Sequence, residues 1–471
     1  MLRRLTLPVV LTLTMLVAGF QAWNTDRSSQ PSLATQIGDA PHTNTPLFSV
    51  RRAPSWLQQP TADRLFRGTL DTIVAASPAD TCLVVHDNGR VLYEHNPAMP
   101  LVPASTVKLL TAVAALDQLG PQATFDTTAV TLTSAQGGVL NGNLWVIGGG
   151  DPILSTADYI ERFGQPQPFT NAATLAERIA ASGITQIRGD IVGDESRYDT
   201  ARYVASWDPS FIAAHESGPL SALALNNGFS AFPKSKFNTT ATPAEDPARQ
   251  AAGVLRQLLV QRGVKVTGTA QSGKAPSGAT EVARVSATLT DVITEMLSQS
   301  DNYTAESLTK ELGVHVSAQG STAAGVAATH QVLVSAGLPL QGVSVVDGSG
   351  LDRANRMTCT LLAAVLDRAG SKSAIASSLP IGGRTGTLAE RFLGTSATGR
   401  IHAKTGSLRN SRALAGFADA GPAAEPHTLT FAYIANQTNL NAEANLHVQD
   451  QLGVGLTAYP QGPSLADLSP R

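Results

Sequence analysis

Two things are scarce in this chain of 471 residues: cysteine and net charge. With 34 basic and 36 acidic residues the formal net charge is -2. No strong field therefore favours a polyanion, which argues against nucleic acid as a partner. Charged residues make up only 15% and apolar residues 42%, a balance that suits a packed exported protein rather than a disordered one. Past the N-terminus no run approaches ~18 uninterrupted apolar residues, so no further stretch reads as a membrane span. The pattern His-Glu-x-x-His is missing, and His86, His95, His402 and His427 lack ligand spacing. Metal catalysis is not expected, and no cofactor is called for. The two cysteines, Cys82 and Cys359, stand alone. In an oxidising compartment such a pair is either a disulfide or two separate buried thiols. A bridge would close a very long loop and stabilise the fold by ~3–5 kcal/mol.

The length allows two or three domains with buried cores. Arg3 and Arg4 precede an uncharged, mostly apolar run at 5–20, the pattern of an export signal. The run is about 16 residues, short of the ~20 that span a bilayer. Residues 1–22 thus read as a signal peptide or an uncleaved signal anchor, the one expected membrane contact. Residues 23–55, polar and punctuated by Pro31, Pro41, Pro46 and Pro54, read as a flexible linker. Leu65, Leu70, Ile73 and Val74 predict a helix over 62–76, and an Asn88-Gly89 turn between apolar runs predicts a hairpin over 82–93.

Three short words then carry the chemistry: Ser105-Thr106-Val107-Lys108, Ser300-Asp301-Asn302 and Lys404-Thr405-Gly406. A helical stripe (Val107, Leu110, Val113, Leu119) ends at Gly120 and puts Ser105 in a first turn. Positions i and i+3 share a helix face, so Lys108 lies beside Ser105 as a potential base for its hydroxyl. Burial near a second cation, Lys404, would depress the Lys108 pKa. The bland alternative is an ordinary serine and a solvated lysine. A second Ser-x-x-Lys, Ser307/Lys310, sits inside a polar helical stretch and reads as solvated surface.

Ser300 and Asn302 fall at a break between helical patterns, where Ser300 could relay a proton and Asn302 bind a substrate amide. Alternatively this word only caps the next helix. Lys404 and Thr405 end a strand and suit a carboxylate, while Gly406 would let a ligand backbone approach the strand edge. Arg384-Thr385-Gly386 is read as a loop, and 347–352 as a structural turn. About 195 positions separate Ser105 from Ser300, too many for one connection. A mixed domain at 130–283 is therefore expected inside a first domain made of 56–129 and 284–460. The later strands (400–406, 413–418, 428–436) and a helix at 442–452 predict an antiparallel sheet closed by a helix.

With Gly149-Gly150-Asp151-Pro152, Asp347-Gly348-Ser349-Gly350-Leu351 and Gly386-Thr387-Leu388, these words resemble the serine D-Ala-D-Ala carboxypeptidase/endopeptidase family, the low-molecular-mass class C penicillin-binding proteins. The likeness covers roughly 60–460. It implies an α+β fold: a β-lactamase/transpeptidase-like domain carrying an inserted mixed α/β domain. It further implies that Ser105 is acylated by the penultimate D-Ala carbonyl and that Lys108 is the base. Ser300 and Asn302 would form a second wall, and Lys404 and Thr405 would hold the terminal carboxylate. The amides of Ser105 and Ser407 would form the oxyanion hole. Partners implied are peptidoglycan peptides ending in D-Ala-D-Ala and β-lactam antibiotics, met outside the cytoplasm. The insertion is shorter than in the fullest members, which carry two inserted domains. No glutamate is assignable as the deacylating base of class A β-lactamases, so slow penicillin turnover is expected. Two alternatives stay open: a β-lactamase or related esterase on the same scaffold, and a non-catalytic wall-binding protein.

Overall fold

The structure, a computed structural model, describes residues 55–234, 240–421, 427–438 and 441–460. The expected signal segment and all of the linker except Ser55 lie outside the described residues. Ser55 itself opens a helix, Ser55–Ala75, longer at its start than the 62–76 periodicity predicts.

A five-stranded antiparallel sheet organises the chain in the order Ile401–Leu408, Ser411–Ala420, His427–Asn436, Asp80–Asp87, Arg90–His95. The N-terminal hairpin thus pairs with the C-terminal strands, with Cys82 opposite Ile434. Both faces are covered, so the apolar run Cys82-Leu83-Val84-Val85 is buried throughout. Leu83 and Val85 pack with Leu414 and Phe431 under the Ser55–Ala75 and Ala442–Thr457 helices. Cys82 and Val84 face the opposite way, toward the helices Lys108–Leu119, Leu289–Gln299, Asn302–Ser317 and Cys359–Ala369. Each Leu or Phe buried on these faces contributes about 1.5–3 kcal/mol. Cys82 and Cys359 are joined by a disulfide, Cα to Cα 5.9 Å, which ties the first strand to the start of the last of these helices.

A second five-stranded sheet is mixed, in the order Ala270–Ser272, Ile191–Asp194, Leu144–Gly148, Thr124–Thr131, Thr280–Thr288. It has its own apolar cluster, in which Leu144, Val146 and Ile191 meet Leu175 and Ile179 of the Ala172–Ala181 helix and Leu255 and Leu259 of the Pro247–Gln261 helix. Its antiparallel pair Thr124–Thr131 and Thr280–Thr288 crosses the borders expected at 129/130 and 283/284.

From this second sheet the segment 195–227 returns to the first. Arg197 pairs with Glu311 at 2.6 Å, and Lys310 pairs with Asp199 and donates to the Ala201 carbonyl at 3.0 Å. The expectation that Ser307 and Lys310 lie on a solvated surface is therefore wrong: both are only 1% exposed. The helix reads as polar because its buried charges are matched by partners about 110 residues away in the chain, which local sequence does not reveal.

Candidate active site

Ser105 lies in a 3₁₀ turn, Ala104–Val107, that runs directly into the Lys108–Leu119 helix. Thr106 fastens the turn by donating its hydroxyl to the Pro103 carbonyl at 2.8 Å. In 3₁₀ geometry residues three apart eclipse, which is tighter alignment than an α-helix provides. Lys108 Nζ accordingly donates to Ser105 Oγ at 3.0 Å, and also to Asn302 Oδ1 at 2.7 Å and the Ser349 carbonyl at 2.8 Å. Its ammonium is fully buried, and loss of hydration lowers its pKa to about 8. Burial is the leading cause rather than a neighbouring cation, and Asp301, Asp347, Glu306 and Glu216 pull the other way.

The second word is a helix break. The Leu289–Gln299 helix ends at Ser300 in the left-handed region (φ 62°, ψ 32°), and Asp301 caps the Asn302–Ser317 helix by accepting the Thr304 amide at 2.7 Å. Capping thus falls to Asp301, while its two neighbours face the cleft. Ser300 Oγ accepts from Lys404 Nζ at 2.7 Å, and Asn302 Nδ2 donates to the Glu216 carbonyl at 2.7 Å.

The third word lies on the edge strand Ile401–Leu408. Ile401 and Ala403 turn into the core beneath the terminal helices, whereas Lys404 is buried toward Ser300, its pKa held well below the usual lysine range by burial and by Lys108. Thr405 Oγ1 lies 2.9 Å from Thr387 Oγ1. Gly406 is glycine because of the nucleophile turn: a Cβ there would stand 2.7 Å from the Pro103 carbonyl oxygen. This packing reason stands beside the expected ligand approach, since Gly406 also lines the cleft.

A cleft of about 490 Å³ is lined by Ser105, Ser300, Asn302, Thr405, Gly406 and Ser407. Lys108 and Lys404 lie beneath it, each held by one of the cleft hydroxyls. The structure thus gathers residues from all three words. Glu216, Thr387, Arg391 and Arg412 also line the cleft without having been singled out. Thr387 lay within a phrase noted in the sequence, whereas Glu216 arrives from 195–227 with no local signal. Leu351 brings the 347–352 turn to the cleft wall. A larger groove of about 670 Å³, bounded by Phe66, Ile73, Val454 and Tyr459, contains none of the three words. Among the described residues no group of three or more His, Cys, Asp or Glu side chains is arranged to hold a metal ion. Chemically the cleft offers a hydroxyl with an amine at hydrogen-bond distance, and a second buried lysine beside a strand edge.

The D-Ala-D-Ala carboxypeptidase 3 (S13) family matches this chain over 69–236 and 230–459. A carboxypeptidase of Mycobacterium tuberculosis is 33% identical over 366 residues, 75% of each chain. The carboxypeptidase DacB of Mycolicibacterium smegmatis is 31% identical over 445 residues, 91% of each chain. In fold, the chain resembles the crystal structure of penicillin binding protein 4 from Haemophilus influenzae. The TM-score is 0.67 at 21% identity, covering 83% of this chain and 99% of that one. The chain belongs to the D-Ala-D-Ala carboxypeptidase 3 (S13) family and is a serine-type carboxypeptidase of the class C penicillin-binding kind.

Proposed function

We propose that Ser105 is the nucleophile and Lys108 its base, and that the enzyme cleaves peptidoglycan stem peptides ending in D-Ala-D-Ala. The observation that carries this is the 3.0 Å contact between Lys108 Nζ and Ser105 Oγ in a buried setting that makes the amine easier to deprotonate than an ordinary lysine. Ser105 Oγ attacks the carbonyl of the penultimate D-Ala as its proton passes to Lys108. The amides of Ser105 and Ser407 receive the oxyanion. Ser300 relays a proton to the departing amine, the peptide bond breaks and terminal D-Ala leaves. Water then hydrolyses the ester and restores Ser105. Asn302 binds the substrate amide, while Lys404 and Thr405 hold the terminal carboxylate.

β-Lactams acylate the same serine, and cross-linked peptides are cut by the same chemistry as endopeptidase substrates. The reading places an inserted domain within the catalytic one, supported by the second sheet and its separate apolar cluster, with the borders expected at 129/130 and 283/284 moved outward to the ends of the paired strands Thr124–Thr131 and Thr280–Thr288. It also places the enzyme outside the cytoplasm, exported by or anchored through 1–22.

The test is intact mass after incubation with benzylpenicillin, beside Ser105→Ala and Ser307→Ala. A stable adduct in the unaltered protein and in Ser307→Ala, lost in Ser105→Ala, is expected. Rapid hydrolysis of nitrocefin without an adduct would make the protein a β-lactamase instead, and neither adduct nor hydrolysis would leave a wall-binding protein.

A further inference from the structure

Against the Ser105 turn lies the tight turn Asp347-Gly348-Ser349-Gly350. Asp347, Ser349 and Glu306 are all 0% exposed. The Ser349 carbonyl is one of the three acceptors of the Lys108 ammonium, at 2.8 Å. Its direction is set by what binds the amides around it. Glu306 Oε1 accepts from the Gly348 amide at 3.0 Å and the Ser349 amide at 2.8 Å. Thr111 Oγ1, one turn beyond Lys108, donates to the Gly348 carbonyl at 2.8 Å. Asp347 holds the rest of the turn through the Gly350 and Asp352 amides at 2.8 and 2.7 Å and Asn355 Nδ2 at 2.8 Å. Gly350 has φ +85°, and a Cβ there would stand 2.0 Å from the Ala104 carbonyl oxygen, so the turn presses directly on the nucleophile turn.

Glu306 is four residues beyond Asn302 on the same helix, and i and i+4 share a face. One helix face therefore supplies a direct acceptor for Lys108, Asn302 Oδ1, and the clamp that aims a second, the Ser349 carbonyl. We propose that Glu306 is a positioning residue of the acylation step, holding the 347–350 turn so that the Ser349 carbonyl orients the Lys108 amine toward Ser105. This rests on the reading of Lys108 as the base. The mode of action is an acceptor oxygen and does not require a charge. Burial pushes the Glu306 carboxyl up to about 8, and Oε2 has no hydrogen-bond partner among the described residues, so the clamp is made by Oε1 alone. A glutamine should therefore reproduce the clamp. Trp207, on the returning segment, donates to Asp347 Oδ2 at 2.9 Å and ties that segment to the same turn.

The experiment compares Glu306→Ala, Glu306→Gln and the unaltered enzyme in benzylpenicillin acylation, separating the rate constant at saturating drug from the pre-covalent dissociation constant. Misplacing a reacting group by about 1 Å costs up to ~10²-fold, so Glu306→Ala should lower the rate constant by about 10- to 100-fold and leave the dissociation constant within about 2-fold. Glu306→Gln should stay within about 3-fold of the unaltered enzyme. An unchanged rate in Glu306→Ala, or an equal fall in both variants, overturns the proposal. Should Glu306→Ala not fold, the nearly isosteric Thr111→Val carries the test: a lower rate constant with unchanged drug affinity upholds the clamp, and an unaltered rate constant overturns it. If the unaltered enzyme forms no Ser105 adduct, the base assignment fails and this inference falls with it. An adduct in the unaltered enzyme with indifferent variants refutes the positioning role alone.

Discussion

Two lysines lie buried beneath one cleft, and desolvation works against charge on both. For Lys108 the groups that decide the balance are Asp301, Asp347, Glu306 and Glu216, which favour the cation, against burial, which disfavours it more. With its pKa lowered to about 8, the amine becomes mostly neutral above that value and mostly charged below it. A base works in its neutral form, so acylation by benzylpenicillin should rise with pH up to about 8 and level off beyond. Stopped-flow acylation between pH 6 and 9.5 measures this, and a flat profile would deny Lys108 the role of base. Lys108→Ala should lower the acylation rate by ~10²–10⁴-fold, the usual worth of a positioned base. At this scale Ser105 and Lys108 are legible because a spacing of three suffices to bring them together. The same spacing at Ser307 and Lys310 shows the limit, since only the chain folded over them buries both and pairs Lys310 with Asp199.

Among the elements, the site depends on interruptions of regular structure rather than on the helices and strands alone. A 3₁₀ turn carries Ser105, a left-handed residue carries Ser300, and a sheet edge carries Thr405. Gly406 couples two of them, because its bare α-carbon lets the edge strand lie against Pro103. Gly406→Ala should displace the nucleophile turn by several tenths of an ångström and slow acylation ~10-fold or more while the protein stays folded. Acylation kinetics alongside a thermal melt decide it, and normal kinetics would mean that the turn absorbs the methyl group. The helix break and the hairpin are readable from periodicity and turn residues. Two-residue strands such as Gln186–Ile187 and Lys265–Val266 are too short to show any period.

Across the whole molecule, the first sheet is completed by strands far apart in the chain, and the disulfide ties one of them to a helix across a separation of 277 residues. Closing so long a loop chiefly restricts the unfolded chain, so replacing both cysteines by alanine should lower the unfolding free energy by about 3–5 kcal/mol. Urea denaturation measures this. Acylation of the folded double variant should be unchanged, because neither sulfur lies in the cleft. By itself the sequence determined the order of the three words, the helix and strand periods around them, and the family. Those depend on spacings of a few residues and on local turn chemistry. Only the tertiary structure decided that Lys108 and Lys404 are buried, that Glu216 and Trp207 come back from the second sheet, and that Glu306 holds the turn that lies against the nucleophile turn. Each of these is a contact between segments remote in the chain, formed when apolar faces are buried together, and no local pattern encodes where such faces meet.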